Sequence, residues 1–123
     1  MAQFRFVFTA TDFDTTAAFY RDTLGLPIVT SWDEHGRGII FSAAGSGQVE
    51  VFEHVDGSLP SFEGMKIAWE VADVEAEHAR LVDAGATIVD PPTDRPWGHR
   101  NMAISDPDGL TIVLFTVTDP TKE

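Results

Sequence analysis

Hydrophobic and polar residues alternate along residues 4–11, with Phe4, Phe6 and Phe8 on one side and Arg5, Val7 and Thr9 on the other. This is the period-two pattern of a half-buried strand. It returns at residues 66–72, where Ile67, Trp69 and Val71 alternate with Lys66, Ala68 and Glu70. Behind each strand the spacing widens to three and four, first over Phe13, Ala17, Tyr20 and Leu24 and then over Val74, His78, Leu81 and Ala84. Each set draws one apolar stripe down a helix. Asp12, Asp14 and Asp73 stand where carboxylates can accept bonds from the first backbone N–H groups, and Gly25 and Gly85 stand where helices end in a left-handed residue.

After each glycine come three more strand-like stretches, predicted over 28–32, 39–43 and 48–53 and again over 87–90, 101–105 and 111–116. The turns between them are marked by Asp33-Glu34-His35-Gly36, Gly45-Ser46-Gly47 and Asp106-Pro107-Asp108-Gly109. One unit is therefore written twice: a first β-α-β-β-β repeat over about residues 3–54 and a second over about 65–118, joined by a Pro- and Gly-containing linker over about 55–64. One helix covers only one face of a four-stranded sheet, so each repeat needs the other, or a second chain, to close its open face. The expected fold is α+β, a curved eight-stranded mixed sheet around a cavity. Residues 119–123 are expected to fray.

A chain of 123 residues fits one domain with a core of its own, spanning residues 1–123. It has no cysteine, which removes disulfides, thiolate metal sites and cysteine nucleophiles together. Its formal net charge of −12, with no local basic patch, argues against nucleic acid and acidic membrane surfaces as partners. No basic start followed by an apolar run opens the chain, and no stretch is long and apolar enough to cross a bilayer, so a cytoplasmic location is expected.

Four features taken together resemble a known family: the doubled repeat; Asp12 followed by Ala18-Phe19-Tyr20-Arg21-Asp22 and Leu24-Gly25-Leu26; Pro96-Trp97-Gly98-His99-Arg100; and Asp106-Pro107-Asp108-Gly109 before the last strand. The chain resembles the vicinal-oxygen-chelate superfamily, the glyoxalase, bleomycin resistance and dioxygenase group. That resemblance covers essentially its whole length. It implies a cupped sheet, usually in a homodimer, whose hollow holds either a divalent metal for chemistry on small molecules or, in metal-free members, an antibiotic that is bound without reaction.

The branch turns on four positions where the metal-dependent members carry ligands. By resemblance these fall on Arg5, Glu50, Lys66 and Val113. Only Glu50 has a donor. Arginine and lysine are cations without a free lone pair, and valine has no polar atom. The expectation is a site with no metal and no cofactor, where Arg5 and Lys66 meet Glu50 as an ion-paired cluster in the metal's place. A displaced site using Glu50, His54 and His99 is the metal-dependent alternative. His78 falls on the helix packing stripe as a half-buried structural residue, and His35 in a solvated turn.

The side chains expected around the ligand are Arg5, Val7, Glu50, Phe52, Lys66, Ala68, Trp97, Val113 and Phe115. They describe apolar walls with a few fixed charges, the makeup of a small-molecule site. Two functions follow. One is a metal-free binding protein, antibiotic-sequestering, whose aromatic walls and acidic balance suit a cationic or aromatic ligand, although Arg5 and Lys66 suit an anion equally. The other is an enzyme of lyase, isomerase or dioxygenase type. It would work through displaced metal ligands, or with Glu50 as general base and a cation on the developing oxyanion.

Overall fold

In the computed structural model, which describes residues 2–54 and 59–123, the first strand β1 is Phe4–Ala10 and leads into helix α1, Phe13–Ala18. Asp12 caps that helix by accepting a hydrogen bond from Thr15 N at 3.2 Å. The helix runs on as a π-helical turn, Phe19–Thr23, and ends before Gly25, which has φ 74°. Strands β2 (Ile28–Trp32), β3 (Gly38–Ser42) and β4 (Gly47–Glu53) complete a sheet in the order β1-β4-β3-β2. β1 runs parallel to β4, and the other neighbours are antiparallel.

The second half repeats the plan with β5 (Lys66–Glu70), α2 (Val74–Asp83), β6 (Thr87–Arg95), β7 (His99–Ser105) and β8 (Thr111–Val117), in the order β5-β8-β7-β6. Asp73 caps α2 through bonds from Glu75 N and Ala76 N, at 3.0 and 3.2 Å. A cap of this kind contributes about 1 kcal/mol. Gly85 closes the helix with φ 81°. Two units result, Met1–Ser61 and Phe62–Glu123, divided inside the expected linker. Residues 55–58 of that linker lie outside the described residues.

Alternation decides which face of each sheet is packed. In the first unit Phe8, Val49, Val51 and Phe41 share the helix-covered face with Ala17, Tyr20 and Leu24 of the helical segment, all buried. The Tyr20 ring lies 5.9 Å from those of both Phe8 and Phe41. In the second unit Met102, Ile104, Ile112 and Leu114 pack with Val74 and Leu81. Each of these larger side chains stabilises the fold by about 1.5–3 kcal/mol. His78 is half-buried and His35 exposed, as expected, whereas Ala84 is exposed because it caps the helix end rather than continuing its stripe.

The α+β class and the two β-α-β-β-β repeats are as expected, and four details differ. The eight strands are hydrogen-bonded as two sheets of four, since β1 and β5 each pair on one side only. β6 extends to Arg95 through Pro91 and Pro92, with two register shifts. An edge strand tolerates prolines because its outer N–H groups need no partner. β7 therefore starts at His99, and Pro96-Trp97-Gly98 is a tight hairpin turn. The C-terminal tail is structured, with Asp119 capping a 3-10 turn, Pro120–Lys122. Among the described residues no helix is long and apolar enough to cross a membrane.

Candidate functional site

The face of the first sheet that points away from its helix carries Arg5, Val7 and Thr9 of β1 opposite Gln48, Glu50 and Phe52 of β4. Glu50 lies between Val7 and Ile40 and is 9% exposed. Its carboxylate accepts from Arg5 Nη1 at 3.2 Å. The same guanidinium donates to Gln48 at 2.9 Å and Gln3 at 3.0 Å, so its orientation is fixed on three sides. Phe52 meets the Trp32 indole edge-on at 5.6 Å, and Trp32 lies flat on Gly38, where an added Cβ would sit 2.1 Å from the ring.

The face of the second sheet that points away from its helix carries Lys66, Ala68 and Glu70 of β5, Thr111, Val113 and Phe115 of β8, and His99, Asn101 and Ala103 of β7. A cavity of about 330 Å³ opens on it. Asn101, Ala103, Thr111 and Val113 form its floor, Lys66 stands at one side, and Val89, Asp90, Arg95 and Trp97 come from β6 and the turn after it. Asn101 Oδ1 is buried without a hydrogen-bond partner among the described residues. Phe115 carries the His99 ring stacked at 4.5 Å, and His99 Nε2 meets Glu123 Oε2 at 2.6 Å.

Backbone geometry holds the Trp97 turn in place. Gly98 has φ 82°, and its carbonyl accepts from Thr118 N, Asp119 N and Thr118 Oγ1 at 2.7, 3.0 and 2.9 Å. A Cβ at Gly98 would lie 2.2 Å from the Asp119 carbonyl oxygen, so only glycine lets the tail pack this closely. Behind the hairpin Arg100 bonds to Glu75 of α2 and, at 3.0 Å, to Asp94 of β6. These bonds, led by that to Glu75, hold the Arg100 guanidinium above its ordinary range.

A second cavity, of about 550 Å³, lies in the first unit beside α1, lined among others by Phe13, Asp14, Arg21, Trp32 and Arg37. Its guanidinium groups are already engaged. Arg37 bonds to Glu53 and Asp14, both at 2.8 Å, and sits 4.7 Å over the Phe13 ring, while Arg21 bonds to Asp22. The bond from Arg37 is the main cause holding the Glu53 carboxyl below the usual carboxylate range.

The nine residues expected around a ligand divide between these two faces. Arg5, Val7, Glu50 and Phe52 share one, and Lys66, Ala68, Val113 and Phe115 share the other, with Lys66, Trp97 and Val113 lining the cavity there. Of the expected cluster the structure shows the Arg5–Glu50 pair. Lys66 has no ion-pair partner among the described residues, and its side chain lines the cavity of the second unit. The four metal positions do not fit a divalent ion: the one carboxylate is held by Arg5, and the others offer two cations and a valine. Among the described residues no three His, Asp or Glu side chains converge as a ligand set. His99 is occupied instead by Glu123 and Phe115. Sequence reasoning missed Arg95 and Asn101. Asn101 was readable as the residue two beyond His99 on one strand, and Arg95 as the last residue before the Pro-Trp-Gly turn.

The family model of the Glyoxalase/Bleomycin resistance protein/Dioxygenase superfamily matches residues 3–114. Among solved structures, TioX from Micromonospora sp. ML1 is 23% identical with a TM-score of 0.78, over 95% of this chain and 99% of that one. TnmS3, an antibiotic binding protein from Streptomyces sp. CB03234, is 25% identical with a TM-score of 0.78, over 95% and 96%. A glyoxalase/bleomycin resistance protein from the same Streptomyces strain is 26% identical with a TM-score of 0.76, over 92% and 98%. Comparison with curated proteins found no match.

Proposed function

Because the chain belongs to the Glyoxalase/Bleomycin resistance protein/Dioxygenase superfamily, we propose that it acts as one of the group's metal-free binding proteins, holding a small planar organic molecule without converting it. The observation that carries this reading is the second-unit cavity, with the Trp97 indole as an exposed wall over a floor of small side chains. Its volume falls at the lower end of the range of small-molecule sites. An indole face offers stacking to a flat ring at little entropic cost. The similarity to TnmS3 supports an antibiotic as that molecule and sequestration as the role.

Two further observations support the reading. Glu50, the residue expected to act as general base in an enzyme, has its Oε1 bonded to Arg5. Phe4 and Val7 of edge strand β1 are 70% and 51% exposed, which fits a homodimer in which a second copy covers them.

Thermal-shift screening of aromatic natural products, followed by calorimetry with Trp97→Ala, tests the proposal. A ligand that raises the melting temperature, loses affinity on Trp97→Ala and is recovered unchanged after long incubation supports it. Conversion of the ligand to a product, abolished by Glu50→Gln, would instead establish the enzymatic alternative.

A further inference from the structure

We propose that the ligand of the second-unit cavity is an aromatic acid, a flat ring bearing a carboxylate and beside it a hydroxyl or N–H donor. The inference rests on that cavity being the binding site and adds the chemical class of its occupant. Its starting point is the fate of the cations. The chain has 20 carboxylate side chains and only eight lysines and arginines. Six of the eight have a carboxylate partner: Arg5 with Glu50, Arg21 with Asp22, Arg37 with Asp14 and Glu53, Arg80 with Glu77, Arg100 with Glu75 and Asp94, and Lys122 with Asp119. Lys66 and Arg95 are the two with no ion pair among the described residues, and both line the one cavity.

In so acidic a chain, two unpaired cations facing one small volume leave it with an unmet positive charge. Desolvating them under a neutral or cationic ligand is costly, whereas a carboxylate offsets that cost and can take two parallel bonds from a guanidinium. The cavity also holds one carboxylate, Asp90, which has no ion pair with either cation. Register places Lys66 on edge strand β5 level with Thr111, and Arg95 on the opposite edge strand β6 level with His99. The cations thus flank the floor. Between them Ala103 and Val113 are register partners, small enough to seat a ring against the Trp97 wall.

The buried, unpartnered Asn101 Oδ1 sets the second requirement. A buried acceptor left unmade is unfavourable, and a donor beside the ligand's carboxylate would satisfy it. Whichever end of the amide points inward, Asp90 stands nearby as a second acceptor for the same kind of group.

Calorimetric titration with hydroxynaphthoate, hydroxynaphthamide and naphthylmethylammonium tests the class. The acid is expected to bind about tenfold or more tightly than the amide, with the ammonium weakest. Lys66→Gln and Arg95→Gln, both at surface-accessible positions, are expected to lower the acid's affinity by more than the amide's and so remove the acid's advantage. Failure of the acid to bind, equal or tighter binding of the amide or ammonium, or an acid preference untouched by both substitutions overturns the aromatic-acid inference. Loss of amide binding on Trp97→Ala in those cases leaves the binding site itself standing. Acid binding that survives Trp97→Ala at full strength overturns the site.

Discussion

The Arg5 guanidinium holds the Glu50 carboxylate at 3.2 Å on the face of the first sheet that points away from its helix. The carboxylate is nearly buried, and two glutamines keep the guanidinium aimed at it.

The pair makes a specific energetic prediction. Arg5→Gln leaves a carboxylate nearly buried without its cation and should destabilise the fold by about 1–3 kcal/mol. Adding Glu50→Gln removes the stranded charge, so the double variant should recover part of that loss. Urea unfolding of the wild type, both single variants and the double variant checks the coupling; strictly additive effects would show that the two groups do not interact.

Gly98 joins the Trp97 turn to the C-terminal segment, and its positive φ and its contact with the Asp119 carbonyl both exclude a side chain. Gly98→Ala should lower stability by about 1–3 kcal/mol and release residues 118–123. Faster proteolytic trimming of the C-terminus together with a lower melting temperature is the expected outcome. An unchanged trimming rate would show that the tail is held elsewhere.

Acidification should weaken the first unit through Glu53. Its folded-state pKa lies below the ordinary value because Arg37 donates to the ionised form. The resulting stability is fully present above the ordinary glutamate pKa of about 4.3 and is lost as pH falls through the lower folded-state value. The stability difference between wild type and Arg37→Gln should therefore shrink as pH drops below about 4. Denaturant midpoints measured across that window would contradict the assignment if the difference stayed constant.

The faces of β1 and β5 were legible because strand alternation needs only the residues themselves, and it sorted Arg5, Val7, Lys66 and Ala68 onto the faces that point away from the helices. The Asp12 and Asp73 caps were legible for a similar reason, since capping is local. The length of β6 was not. Pro91-Pro92 reads as a break, and only its place at a sheet edge makes it compatible with pairing. The tail looked frayed because its anchors, the Gly98 carbonyl and His99, are some twenty residues away in sequence. The same non-locality hid the site's polar chemistry. That Lys66 lacks an ion-pair partner among the described residues while Arg5 has one follows from which carboxylates the fold brings near each, not from spacing along the chain.

We propose that this member of the family holds its ligand with protein charges and without a chelated metal. Protein purified without an affinity tag, then titrated calorimetrically with zinc, nickel and manganese after elemental analysis, tests this proposal. Far less than one metal ion per chain and no saturable heat are predicted; one tightly held ion per chain, lost on Glu50→Gln, would contradict the account.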